Sequence, residues 1–258
     1  MIPLKDDIPT RRFPVLTVAI IVACCLVYFL FERGGWDLGQ TGNERVLEFG
    51  AIPYEVTNPG EECGATGSGQ IACEGQRGVA GEAPDQAPWW ITVFTSMFLH
   101  GSLLHLGGNM LFLWIFGNNI EDSMGRLRFV AFYLLGGLAA LGAQVLTDTD
   151  AAVPTVGASG AIAAVLGGYA LLYPRARVVT VVFIIIFFTI IQLPALLVLG
   201  IWFLMQLLPA FQEPIGADGG GIAYFAHIGG FVFGLLLIKL FADRVHDDYE
   251  AGHRIPVY

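Results

Sequence analysis

Gly157-Ala158-Ser159-Gly160-Ala161-Ile162-Ala163-Ala164-Val165-Leu166-Gly167-Gly168-Tyr169-Ala170-Leu171-Leu172-Tyr173 carries no charge, and Ser159 is its one polar side chain before Tyr169. A run this long and this apolar reads as a helix near bilayer-spanning length. Its glycines and alanines allow close approach to neighbouring helices. Read alone, Ser159 is a small residue in a helix contact. A second run, Ala223–Phe241, holds Ala226-His227-Ile228-Gly229-Gly230. A histidine inside the hydrocarbon zone is costly and functional by default.

The rest of the chain supports a membrane reading. Of 258 residues, 55% are hydrophobic and 14% charged, against about 25% charged in an average soluble domain. That excludes an ordinary cytosolic enzyme, and the net charge of −9 argues against nucleic acid as a partner. The apolar run Phe13–Phe31 follows Arg11 and Arg12 and precedes Glu32-Arg33 rather than a small-residue cleavage site, so it reads as a retained first span.

Further spans are expected at Val93–Asn118, Phe129–Leu146, Gly157–Tyr173 and Ala223–Phe241. Between Tyr173 and Ala223 the block Val178–Phe211 is 34 residues long and interrupted by Pro194. It reads as an interfacial or re-entrant lead-in, Val178–Gln192, to a span at Ala195–Phe211. Six spans place Lys5, Arg11, Arg12, Arg126, Arg128, Arg175, Arg177, Lys239, Arg244 and Arg254 on one side or at its edge, and Arg33, Arg45 and Arg77 on the other. The positive-inside rule makes the first side cytoplasmic. The fold expected is therefore an all-α bundle of six transmembrane helices, both termini cytoplasmic, as a single domain over 1–258 with its core at 89–241.

Residues 32–90 form a long extracytoplasmic loop. Its part Thr57–Pro88, acidic and rich in Gly and Pro, is expected to be poorly ordered. Cys63 and Cys73 lie there on the oxidising side, where a disulfide between them is expected. Cys24 and Cys25 fall in the first span as packing residues.

Ser159 and His227 both lie near the outer ends of their spans, so they can meet at one depth. A neutral imidazole can take the serine hydroxyl proton and return it to a leaving group. Ser159 opens its helix, where backbone N–H groups lack intrahelical partners and the dipole is positive. In the second span, His105 and Asn109 are four residues apart and share a helix face, as oxyanion donors would. His100 falls about 140° from His105 on a helix and is expected to be structural. A zinc site is disfavoured, because the histidine spacing is not H-E-x-x-H.

Taken together, His100-x₄-His105-x₃-Asn109, Glu121-x₃-Gly125-x₇-Tyr133, Gly157-x-Ser159-Gly160 and Ala226-His227-x₂-Gly230-x₃-Gly234 resemble the rhomboid family of intramembrane serine proteases, over about 89–241. The resemblance implies a Ser159/His227 dyad without a third carboxylate, opening outward through a water-filled cavity. It implies an oxyanion hole from His105, Asn109 and the Ser159 N–H, and structural roles for His100, Glu121, Gly125, Tyr133, Gly157, Gly160, Gly230 and Gly234. The implied substrates are single-span membrane proteins, cut near the outer end of a helix that unwinds easily.

Two positions depart from the family pattern. Trp89-Trp90-Ile91-Thr92 lacks the arginine of the first-loop Trp-Arg pair, and Ala163 stands where some relatives carry an aromatic ring against the histidine. The second departure predicts a less constrained His227. Ala195–Phe211 and the glycine-rich loop Gln212–Ile222 are expected as gate and cap. No cofactor or metal is implied, since the dyad needs only water. Partners are transmembrane substrates and lipid, no oligomeric state is fixed, and the location expected is the plasma membrane. The competing readings are a catalytically silent relative that binds and escorts membrane helices, and a small transporter, for which no inverted repeat is found.

Overall fold

The structure is a computed structural model and describes residues 1–33, 43–66, 70–76, 79, 83, 86–184, 187–211 and 222–243. The expected cap at 212–221, together with Arg77, Arg244 and Arg254 of the charge count, lies outside the described residues.

Helices dominate. The first is α1 (Val15–Leu26), continued by a π-helical turn (Val27–Glu32). Short helices α2 (Asn43–Phe49), α3 (Pro53–Thr57) and α4 (Trp89–Thr95) follow. Then come α5 (Leu103–Phe112), a π-helical turn (Leu113–Gly117), α6 (Asn118–Met124), α7 (Arg126–Thr147), α8 (Ser159–Leu172), α9 (Ala195–Ala210) and α10 (Tyr224–Phe241). Val15–Glu32, Arg126–Thr147 and Tyr224–Phe241 are long and apolar enough to cross a membrane, and Ser159–Leu172 and Ala195–Ala210 are shorter apolar helices.

α8 is the centre of the bundle. Ala161 through Leu166 and Tyr169 are almost wholly buried. The glycines make this packing achievable. A Cβ on Gly234 would strike the Ala164 carbonyl, one on Gly230 the Gly160 carbonyl, and one on Gly167 the Phe231 carbonyl, so α8 and α10 touch backbone to backbone. Gly136 faces the Ala164 methyl and brings α7 equally close.

Three expectations are corrected. The second span does not begin at Val93: α4 ends at Thr95 and α5 starts at Leu103. Ser102, extended at φ −161°, takes the His105 N–H on its hydroxyl and starts a new helix. Val178–Gln192, expected as an interfacial or re-entrant lead-in within an all-α fold, is built of strands. β4 (Arg177–Ile184) and β5 (Phe187–Pro194) pair antiparallel, and β4 also pairs with β1 (Ile2–Asp6), in the order β1-β4-β5. Val-Val-Thr-Val-Val-Phe and Phe-Phe-Thr-Ile-Ile are β-branched and aromatic, which favours strand over helix. The fold is thus mostly helical with small sheets rather than all-α.

The third correction concerns part of the outer loop; residues 67–69, 77, 78, 80–82, 84 and 85 of Thr57–Pro88 lie outside the described residues. Within Thr57–Pro88 the chain forms a ribbon of β2 (Cys63–Ala65) and β3 (Ile71–Cys73), with Cys63 opposite Cys73 and disulfide-bonded to it. Glu55 accepts the Cys63 N–H at 2.9 Å, and Ile52, Tyr54 and the two half-cystines make a small core of their own.

One end of the bundle gathers residues far apart in sequence. The Arg11 N–H donates to Asp122, the Arg177 N–H to Asp7, and Arg128 pairs with Asp243. At that end Glu121 accepts the N–H groups of Leu16 and Thr17 at 3.1 and 2.8 Å, capping α1 in place of Pro14, which has no side-chain acceptor. Gly125, at φ +78°, makes the turn from α6 into α7. Tyr133 is buried nearby, its hydroxyl without a partner among the described residues.

Candidate active site

Ser159 is the first residue of α8, and His227 lies in the first turn of α10. The backbone contact between these helices brings the Ser159 Oγ within 2.7 Å of the His227 Nε2. α10 lacks a side-chain cap of its own. Gln144 of α7 supplies one, its Oε1 accepting the Ala226 N–H at 3.2 Å.

His105 comes in from α5. Gly157, at φ +125°, is the residue before Ala158, and a Cβ there would lie 2.7 Å from the His105 ring and 3.5 Å from the Ser159 Oγ. Only glycine suits that backbone and lets the imidazole close on the serine. Asn109, a helical turn further along α5, is buried with its side-chain nitrogen lacking an acceptor among the described residues. A buried donor left open is suited to accept a charge that develops later. Beside Ser159 is a cavity of about 30 Å³ lined in part by Ser96, Thr155 and Gly157, enough for one water.

His100 is not on a helix, so its helical angle to His105 has no meaning. It lies in the turn before α5, fully buried, with its ring edge-on to His105 at 5.2 Å. Its N–H donates to both Glu32 oxygens at 3.0 Å, and its Nδ1 is 3.1 Å from the Phe98 carbonyl. The last residue of the π-helical turn that continues α1 therefore holds the loop on which His105 depends. Glu32 marks the end of an apolar run in sequence, and nothing there links it to His100.

Two residues of α9 meet His227 and were not foreseen. The Gln206 Oε1 is 2.8 Å from the His227 Nδ1, and the Trp202 ring lies 5.9 Å from the imidazole at 40°. The expectation of a loosely held His227, drawn from Ala163, is thereby corrected: the ring comes from another helix. The sequence marks Gln206 as a lone amide in an apolar run but does not tie it to His227, and Trp202 carries no signal there.

An apolar helical bundle with a serine hydroxyl bonded to a histidine at its centre defines an integral membrane protein with the parts for nucleophilic chemistry. A family model described as Rhomboid domain matches residues 87–244, and the chain belongs to that family. It is 31% identical over 157 residues to Rhomboid protein 1, mitochondrial, of Saccharomyces cerevisiae, covering 57% of this chain and 40% of that one. It is 30% identical over 160 residues to Rhomboid protease GluP of Bacillus subtilis, covering 62% and 24%. It is 33% identical over 146 residues to Presenilin-associated rhomboid-like protein A, mitochondrial, of Danio rerio, covering 55% and 35%. The matches thus span less than half the length of each of these relatives.

Proposed function

We propose that the chain is an intramembrane serine endopeptidase that cuts transmembrane segments of other membrane proteins near the extracytoplasmic side. The 2.7 Å contact between the Ser159 Oγ and the His227 Nε2 carries this reading. Membership of a family that includes a named rhomboid protease supports it.

In the proposed reaction, the Ser159 Oγ bonds to the scissile carbonyl carbon as its proton passes to the His227 Nε2. The carbonyl oxygen becomes an oxyanion facing the Asn109 side-chain N–H, His105 and the Ser159 backbone N–H. The C–N bond then breaks, and His227 returns the proton to the leaving nitrogen. Water attacks the acyl ester, giving its proton to His227, and the Ser159 Oγ leaves with that proton. The substrate must arrive extended, since amides in an intact helix are already satisfied.

The reading includes six crossings, made by α1, α5 with α6, α7, α8, α9 and α10, and both termini on the cytoplasmic side. The gathering of Arg11, Asp122, Arg128, Arg177 and Asp243 at one end supports this. The membrane is less constrained: two of the relatives are named as mitochondrial, so the plasma-membrane expectation gains no support from them.

The test is cleavage of a single-span substrate by purified protein in liposomes, beside Ser159→Ala and His227→Ala. Loss of cleavage in both variants is expected. Cleavage surviving Ser159→Ala overturns the mechanism, and substrate binding without cleavage by the unaltered chain favours an escort role.

A further inference from the structure

The protease reading uses His227 through Nε2 and leaves open what holds its other nitrogen. We propose that Gln206 is a positioning residue, which fixes the ring and tautomer of His227 from α9, so that the working unit is Ser159–His227–Gln206.

Hydrogen bonding settles which way the Gln206 amide faces. Its Nε2 donates to the Trp202 carbonyl at 3.3 Å, one turn back on α9, which leaves Oε1 toward the His227 Nδ1 at 2.8 Å. The opposite orientation would set two carbonyl oxygens against each other. An oxygen facing Nδ1 requires the proton on Nδ1, and the lone pair of Nε2 then points at the Ser159 hydroxyl 2.7 Å away. That is the tautomer a general base needs. When His227 becomes imidazolium, the same Nδ1–H···O bond strengthens. An amide does this without a buried carboxylate, which the bilayer would penalise.

Trp202 adds a second restraint, its ring against the imidazole while its carbonyl holds the amide. Both restraints sit on a peripheral helix. Leu196, Leu204 and Leu208 of α9 are more than half exposed, whereas α8 is almost wholly buried. The serine thus sits on the central helix, α8, and the group orienting the histidine is carried by a helix at the edge of the bundle.

The experiment compares Gln206→Leu and Gln206→Glu with the unaltered chain in liposomes, reading kcat, KM and the pH profile, with thermal unfolding as a check on folding. Gln206→Leu keeps the shape and removes the acceptor; it should lower kcat about tenfold or more with KM changed by less than about twofold. Gln206→Glu keeps the acceptor, so it should recover most of the rate. Its acidic limb should move to higher pH, because a carboxylate beside Nδ1 favours imidazolium. Around His227, α5 presents the titratable His105, while α7, α8 and α9 present Gln144, Ser159, Gln206 and Trp202, which carry no charge.

Unchanged kcat in Gln206→Leu overturns the proposal. So does equal loss in both variants with the acidic limb unmoved, which would mark Gln206 as packing only. The ¹⁵N shifts of the His227 imidazole, assigned by their loss in His227→Ala, test the tautomer without any substrate. A protonated Nδ1 that becomes a tautomer mixture in Gln206→Leu supports the proposal, and no change in the shifts overturns it. Absence of cleavage by the unaltered chain strikes the protease reading, while the ¹⁵N shifts still decide the role of Gln206.

Discussion

Asn109 and Gly234 bear on the proposed site in two ways, one through a side chain and one through its absence. Asn109 holds an unpaired donor on the face it shares with His105. Asn109→Ala should lower kcat by about 10²–10³, the usual loss of one oxyanion donor, with the fold unchanged by circular dichroism. Gly234 has no room for a methyl group against the Ala164 carbonyl. Gly234→Ala should destabilise the bundle by about 1–3 kcal/mol, whereas Gly142→Ala, with open space around it, should be neutral or slightly stabilising. Thermal unfolding in detergent separates the two. As members of the proposed site, Ser159, His227, His105 and Asn109 stand out in the sequence because each is a polar group in an apolar run at a telling spacing. Gln206 and Trp202 were not, because their link to His227 exists only once α9 packs on α10. Ala163 misled for the same reason: an absent ring in one helix says nothing of a ring supplied by another.

Among the elements, the spans were more legible than the segments joining them. α1, α7, α8, α9 and α10 fall close to their expected positions, since length and hydropathy define them. The strands were missed because an apolar run of eight reads alike as strand or buried helix by periodicity alone, and their β-branched content was the deciding signal. The N-terminal strand carries a pH response. The Asp6 carboxylate accepts from the Tyr169 hydroxyl and the Asn119 amide, both at 2.6 Å. Burial pushes its carboxyl from 3.8 up to about 7, although the Tyr169 bond pulls the other way. The folded state therefore favours the protonated form, and that stabilisation is complete below about pH 4 and lost as pH rises through about 7. Hydrogen exchange at Ile2–Asp6 should be slower at pH 5 than at pH 8, after correction for intrinsic rates, and Asp6→Asn should remove the difference. The β2–β3 ribbon carries a redox response. Reducing Cys63–Cys73, or replacing both cysteines with Ser, should cost the loop about 2–3 kcal/mol. Limited proteolysis should then cut near Cys63 and Cys73 faster while leaving α7, α8 and α10 intact, because the ribbon has a core separate from theirs.

For the whole molecule, the bundle end bearing Arg11, Asp122 and Asp243 and the opposite end bearing the disulfide ribbon should face different compartments. Single cysteines at Thr10 and Asp243 should react with a membrane-impermeant thiol reagent from one side of sealed vesicles, and one at Asn58 from the other. Labelling of all three from the same side would remove the six-crossing topology. The pairing of β1 with β4 also sets an order of events during synthesis. Ile2 lies opposite Val181 and Asp6 opposite Val178, so β1 must wait until α1, α5, α7 and α8 have left the ribosome before its partner exists. Contacts of such sequence separation form late. Until then β1 has no strand to pair with, and its backbone remains accessible to whatever handles nascent chains at the membrane surface.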